Sequence, residues 1–333
     1  MYIVGRMCDV SIIITAYNES KTIHRAINSA LSQTFENIEI IIIDDNSTDD
    51  TLKLIKEYSC INKITIIKHK QNRGGSAARN TGIEAASGDY IALLDGDDRW
   101  KPRKIKKQVE LIESSSNDVV AVYCDFDIES QGVAKVREKL SKLLISDADS
   151  VGSNSIPHEG GSELIPYILS MQFRLGGSST LLIKRSIAED IGGFDERFPR
   201  HQDWEFLIRL LKQGSIRRVD QKLVVKYDDG IHSSQDVFKS KRLFFDKFSE
   251  EIYNSQQNEF DILGPHIRHL SSSYLQDGHF YQGFKCISGK ESLGFSDIKR
   301  LCWSFVVGVF NVLLNSVFVL IESIPTSQDR SRD

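Results

Sequence analysis

Residues 40 to 43 are four consecutive isoleucines, and they sit in the second of five short apolar runs: Val10 to Thr15, Ile38 to Asp44, Ile64 to Lys68, Tyr90 to Leu94 and Val119 to Asp125. Successive side chains on a strand point to opposite faces, so a run that is apolar throughout needs cover on both faces. The stretches between the runs supply that cover with helical patterns. Ser20 is placed to cap a helix to about Ser32, Ser47 or Thr48 one to about Tyr58, and Ser76 opens a small-residue helix that ends at Gly88. Strands alternating with helices in this way imply a Rossmann-like α/β fold, a mostly parallel sheet with helices on both faces.

A chain of 333 residues with 40% hydrophobic and 26% charged residues can bury a large core, which excludes disordered and fibrous classes. Lys plus Arg number 42 against 46 Asp plus Glu, so no net positive field exists to attract nucleic acid. The five cysteines, Cys8, Cys60, Cys124, Cys286 and Cys302, are scattered without zinc spacing or disulfide density and suit a reducing compartment. MYIVGRMCDV lacks the apolar core of a secretory signal, and export is not expected.

Residues 128–162 are polar and without strong period, the pattern of a long variable excursion. Order resumes with a strand expected at Ser178 to Lys184, a turn at Gly192-Gly193, a helix from His201 to Gln213 and a strand pair near Ile216 to Lys226. After Ser233 the pattern is helical. Three regions are therefore expected: 1–235, an α/β domain that binds and acts on its ligand; 236–300, a helical C-terminal region; and 301–321, an apolar helix that is a possible membrane anchor.

No dinucleotide fingerprint and no P-loop is present, so NAD and P-loop chemistry are not indicated. The strand ends carry carboxylates instead: Asp44-Asp45 after the second strand and Asp95-Gly96-Asp97-Asp98 after the fourth. In open α/β sheets ligands bind at that edge. Carboxylates beside a bound diphosphate require a hard divalent cation between them, and an all-oxygen ligand set selects Mg2+ or Mn2+ over zinc. Taken alone, Asp-Gly-Asp-Asp reads equally well as a surface turn.

In combination, VSIIITAYNES, IEIIIIDDNSTDDT and NRGGSAARNTGIEAASGDYIALLDGDDRW, followed more weakly by GGFDERFPRHQDWEFLIRL, resemble the bacterial family 2 glycosyltransferases of the GT-A fold. The resemblance implies a nucleotide-diphosphate sugar donor, most often a UDP-sugar. By position it places Ala16, Tyr17 and Glu19 in the nucleotide pocket, Asp45 and Arg73 at the base, Asp95 on the ribose side and Asp97 on the Mn2+ or Mg2+ ion. Each has a structural alternative: Tyr17 as sheet-edge cover, Glu19 as a helix N-terminal residue, Asp44 as a turn cap. Gly74 and Gly75 read as conformational.

Direct displacement at an anomeric carbon needs a base for the acceptor hydroxyl. The family carries an acidic pair here, commonly Glu-Asp, whose second member is the base; this chain has Gln202-Asp203, which leaves Asp203 as the candidate and Glu205 as the fallback. The alternative for Asp203 is a helix N-terminal carboxylate held by the dipole. Neither the Q-x-x-R-W motif nor the several membrane helices of processive members are present, so a single sugar is expected to be transferred per binding event. FRLGGSS at 173–179 resembles the acceptor-facing segment, with an ordinary loop as the competing reading, and His232 stands where some relatives place a metal-side or phosphate contact.

The run RWKPRKIKK carries six basic side chains, read as a solvated helix face or, if functional, as a surface for anionic lipid. From Leu301 to Ile321 no residue is charged, a length that admits a spanning helix, an interfacial helix or a buried soluble one. Lys299 and Arg300 favour a cytoplasmic catalytic part at the inner face of a membrane. The expectation is an inverting, metal-dependent glycosyltransferase that uses a glycan or lipid-linked acceptor in cell-surface polysaccharide synthesis. The rivals are a nucleotide-sugar-binding subunit without turnover and a phosphotransferase with Asp95 as nucleophile.

Overall fold

The structure is a computed structural model that describes residues 9–130, 156–228 and 233–287 together with Phe305. Its first half is built from β1 (Val10–Ala16), α1 (Ile23–Leu31), β2 (Ile38–Asp44), α2 (Thr51–Lys56), β3 (Ile64–Lys68), α3 (Gly75–Ala85), β4 (Tyr90–Asp95), β5 (Arg99–Trp100), α4 (Lys104–Glu113) and β6 (Val119–Ser130). There follow α5 (Ile165–Leu169), β7 (Leu182–Lys184), α6 (Arg185–Asp190), α7 (Gln202–Leu211), β8 (Ser215–Asp228), α8 (Ser234–Lys247), α9 (Ser249–Gln257), α10 (Leu263–Gln276) and α11 (Phe280–Ile287).

The strands form one sheet in the order β3-β2-β1-β4-β7-β6-β8-β5. Neighbours from β3 to β4 are parallel, β7 runs antiparallel to both β4 and β6, and β6 pairs with β8 in parallel. The isoleucine runs explain themselves in this sheet. Ile13, Ile41, Ile43 and Leu93 enter the core on one face, while Ile12, Ile14, Ile40, Ile42 and Leu94 enter the core on the other. Every position of the run is buried because each face has its own helical layer. Helix α3 lies close on the sheet: a Cβ at Gly82 would come within 2.3 Å of the Ile13 side chain.

The helices after Ser233 are packed into the same core. Phe244, Phe248, Ile252 and Ile262 cluster with Phe206, Leu207 and Leu210 of α7. Among the described residues no helix is long and apolar enough to cross a membrane, and the apolar segment 301–321 lies outside them. So do His232 and residues 131–155 of the polar excursion.

Three local expectations need correction. The strand pair expected near 216–226 is the single strand β8, because Asp220-Gln221 forms an irregularity: Cys124 faces Val219 and Asp125 faces Lys222. The strand expected from Ser178 begins as a turn of 3₁₀ helix over Ser178–Thr180, where the Thr180 hydroxyl bonds back to the carbonyls of Leu175 and Gly177. Helix α1 starts at Ile23 rather than after Ser20, whose N–H is bonded to Asp49 instead.

Candidate active site

Register levels the carboxyl ends of the central strands. Ala16 is opposite Asp44 on β2, and Thr15 is opposite Asp95 on β4, so these ends share one edge of the sheet. Strand order reverses there, with β2 on one side of β1 and β4 on the other, which opens a crevice between the β1 and β4 loops. Two adjoining hollows occupy that edge. The smaller, about 170 Å³, is lined by Ala16, Tyr17, Glu19, Asp45, Asp95 and Asp97. The larger, about 610 Å³, is lined by Asp95, Asp97, Asp98 and Lys226 together with Arg200, Gln202 and Asp203. Asp95 and Asp97 border both.

Asp45 is 3% exposed and organises the wall of the smaller hollow. Its carboxylate accepts the backbone N–H groups of Arg73 at 2.9 Å and Gly74 at 2.7 Å, and it bonds His69 Nδ1 at 2.7 Å. The Arg73 guanidinium lies elsewhere, 3.3 Å from Glu196 and half-exposed, and Arg73 does not line the hollow. Asp45 and Arg73 therefore meet through the Arg73 main chain rather than its side chain. Tyr17 is 45% exposed at the rim, and Glu19 accepts the Thr22 hydroxyl at 2.5 Å, as a residue at a helix start does.

One carboxylate oxygen from each of Asp95, Asp97 and Asp98 lies within 4.8 Å of the others. Two of the three are partnered: Asp95 accepts Arg79 Nη2 at 2.6 Å, and Asp98 accepts Lys226 Nζ at 2.7 Å. Burial opposes the Asp95 charge, but Arg79, Lys226 and the Ser178 hydroxyl hold its carboxyl down at about 2. Asp97 is pushed the other way, up to about 7, by burial first and then by the charges of Asp95, Asp98 and Glu19. Lys226 opposes this only in part, and among the described residues Asp97 is the one of the three without a direct cationic partner, which a divalent cation among these oxygens would supply. The all-oxygen donor set fits a hard cation.

Asp203, in the first turn of α7, lines the larger hollow together with Asp95, Asp97 and Asp98. Its Oδ1 is buried without a hydrogen-bond partner among the described residues. Burial raises its pKa, the Arg79 charge opposes that, and the Asp95 charge adds to it, so Asp203 is a stronger proton acceptor than an exposed aspartate. Glu205, the fallback, is fully buried and turned into an ion network, bonded to Arg209 at 2.5 Å and to Lys247 at 2.6 Å. Gly176 and Gly177 of the FRLGGSS segment line the same hollow. Gly177 has φ +84, and a Cβ there would sit 3.3 Å from Lys226 Nζ and 3.5 Å from Asp203 Oδ2, in the space between these two side chains.

Three residues that the sequence did not single out belong here: Arg79, Lys226 and Arg200. Arg79 had a signal, being the one long side chain within the small-residue stretch SAARN, and it is 6% exposed beneath Asp95. Lys226 had none, because its place depends on the register of β8. In the basic run Arg99, Arg103 and Lys106 are exposed, as a solvated face requires, and Lys104 is the exception. Lys104 is fully buried, bonded to Gln108 at 2.7 Å and 3.9 Å from the centre of the Trp100 ring, while Lys101 pairs with Asp127 at 3.0 Å.

Residues 11–163 match the model of the family described as Glycosyl transferase family 2. The fold is that of the GT-A glycosyltransferases. Staphylococcus aureus TarS 1-349, solved in complex with UDP-GlcNAc, superposes with a TM-score of 0.59 at 17% identity, over 90% of this chain and 90% of that one. Among curated proteins, the chain is 45% identical over 124 residues to the Escherichia coli UDP-Glc:alpha-D-GlcNAc-diphosphoundecaprenol beta-1,3-glucosyltransferase WfaP, covering 37% of this chain and 48% of WfaP. It is 32% identical over 209 residues to the Erwinia amylovora amylovoran biosynthesis glycosyltransferase AmsB, covering 61% of this chain and 64% of AmsB. The matched part spans about half to two thirds of the length of these relatives.

Proposed function

We propose that this chain is an inverting, non-processive glycosyltransferase that moves one sugar from a nucleotide-diphosphate sugar, a UDP-sugar, to a hydroxyl of a glycan or lipid-linked acceptor in cell-surface polysaccharide synthesis. The observation that carries the proposal is that Asp203, with a buried oxygen unpartnered among the described residues, lines one hollow with Asp95, Asp97 and Asp98. The UDP-sugar donor and the polysaccharide role draw support from WfaP, AmsB and the UDP-GlcNAc complex of TarS, as properties of those relatives.

In this reading Ala16, Tyr17, Glu19, Asp45, Arg73 and Asp95 bind the nucleotide sugar. Asp45 acts by shaping the 73–74 main chain, and Arg73 reaches the base by leaving Glu196. Asp97, with Asp95 and Asp98, would hold Mn2+ or Mg2+, which when bound neutralises charge on a departing diphosphate. Arg79 and Lys226 keep Asp95 ionised, and their ion pairs hold Asp95 and Asp98 in place. Asp203 takes the proton of the acceptor hydroxyl at its Oδ1, and Gly177 leaves room for the acceptor beside it. The segment 301–321 carries association with the inner face of a membrane, with the catalytic part cytoplasmic.

Asp203→Asn keeps the shape and removes the base. Transfer, followed as UDP release with acceptor present, is expected to fall by about 10²–10⁴-fold, with UDP affinity unchanged. Retained transfer would overturn the assignment of the base. Absence of any transfer by the unaltered chain, with UDP still bound, would favour a nucleotide-sugar-binding subunit without turnover.

A further inference from the structure

Two of the three cations on the larger hollow are already paired, Arg79 with Asp95 and Lys226 with Asp98. Arg200 is the third, and its guanidinium makes no hydrogen bond or ion pair among the described residues. Its position is nonetheless fixed. The Arg200 N–H donates to Ser240 Oγ of α8 at 2.9 Å, and the next residue, His201, is held at φ +59 with its ring stacked on Trp204 at 4.3 Å. Ordering an unpaired cation on the wall of a partly buried hollow is costly unless a counter-charge arrives. Burial pulls the guanidinium pKa down, with the charge of Asp203 the first to oppose it.

Which ligand carries the counter-charge follows from placement. A donor diphosphate belongs where Asp95 and Asp97 border both hollows, and Arg200 lines only the larger one, three residues before Asp203. We propose that Arg200 binds a phosphate or diphosphate group on the acceptor, adjoining the sugar whose hydroxyl faces Asp203. This rests on the glycosyltransferase reading and adds to it a chemical class of acceptor: one bearing an anion next to its reacting sugar. The planar guanidinium fork suits phosphate oxygens, which it can engage with two parallel bonds.

The test is equilibrium binding by calorimetry to the full chain saturated with UDP and Mn2+, so that the nucleotide side is filled. Farnesyl diphosphate stands for a lipid-linked acceptor and glycerophosphoglycerol for a polyol-phosphate one, with farnesol as the uncharged control. One of the two anions should bind, and which one identifies the source of the phosphate. Arg200→Ala should weaken that binding about ten-fold or more, Arg200→Lys should restore part of it, and farnesol should be indifferent to both. UDP affinity should stay as in the unaltered chain. Neither anion binding, equal binding by Arg200→Ala, or a parallel loss of UDP affinity would overturn the proposal, the last by moving Arg200 to the donor. Failure of the unaltered chain to bind UDP is a separate result, which would overturn the donor reading itself.

Discussion

At the scale of single residues, Asp97 is the side chain whose environment and proposed task agree most closely. Its carboxyl is pushed up to about 7, from an ordinary 3.8, by burial and by three neighbouring negative charges. The folded chain therefore holds a proton there that the unfolded chain has released, and the stability this contributes is lost as pH rises through about 4 to about 7. In the proposed reading a divalent cation takes the place of the proton. Chelator-treated protein is expected to melt lower at about pH 8 than at about pH 5.5, with Mn2+ restoring more at the higher pH; Asp97→Asn should remove both the pH trend and the Mn2+ response in thermal scans. A Mn2+ response that survives in the variant would take the ion away from Asp97. Asp97 and Asp203 were legible as residue types next to strand and helix ends. Arg73 shows the limit of that reading: position in a motif placed it at a base, while its guanidinium rests on Glu196, a partner 123 residues away.

At the scale of elements, the start of α7 is held from behind by α8 and α10. Lys241 of α8 donates to His266 Nδ1 at 3.0 Å, His266 in turn bonds the Leu169 carbonyl at 2.7 Å, and the Trp204 ring lies 5.8 Å from the Lys241 ammonium. Burial lowers the Lys241 pKa from 10.5 to about 7. Between those values the folded chain binds fewer protons than the unfolded one, so stability should rise with pH across that window. Urea titrations at about pH 7 and about pH 9.5 are expected to show this gain in the unaltered chain and its loss in Lys241→Met. An unchanged gain in the variant would assign it to another group. Strands whose whole length is apolar were readable one by one, because burial on both faces leaves a local mark. The β8 strand was not, since a bulge at Asp220-Gln221 looks like a turn until β6 lies beside it.

At the scale of the whole molecule, the helices after Ser233 are part of the same interior as α7, which carries Asp203. Phe244 is 1% exposed, with Phe248 at 5.1 Å and His266 at 5.8 Å between ring centres. Phe244→Ala is expected to cost about 3–5 kcal/mol in urea unfolding, in one transition common to fluorescence and circular dichroism. A cost below about 1 kcal/mol, or a separate early transition, would make the C-terminal helices an independent layer. The sequence by itself determined the α/β class, the strands β1 to β4 and β6 to within a few residues, and the carboxylates at their ends, because these follow from periodicity and local chemistry. Only the tertiary structure decided that Lys226 and Arg79 neutralise two of those carboxylates, that Glu205 is locked in an ion network, and that Arg200, unpaired among the described residues, lines the same hollow as Asp203. Those outcomes depend on charges from distant segments meeting in a low-dielectric interior, where the energy is set by distance and burial that no stretch of sequence carries alone.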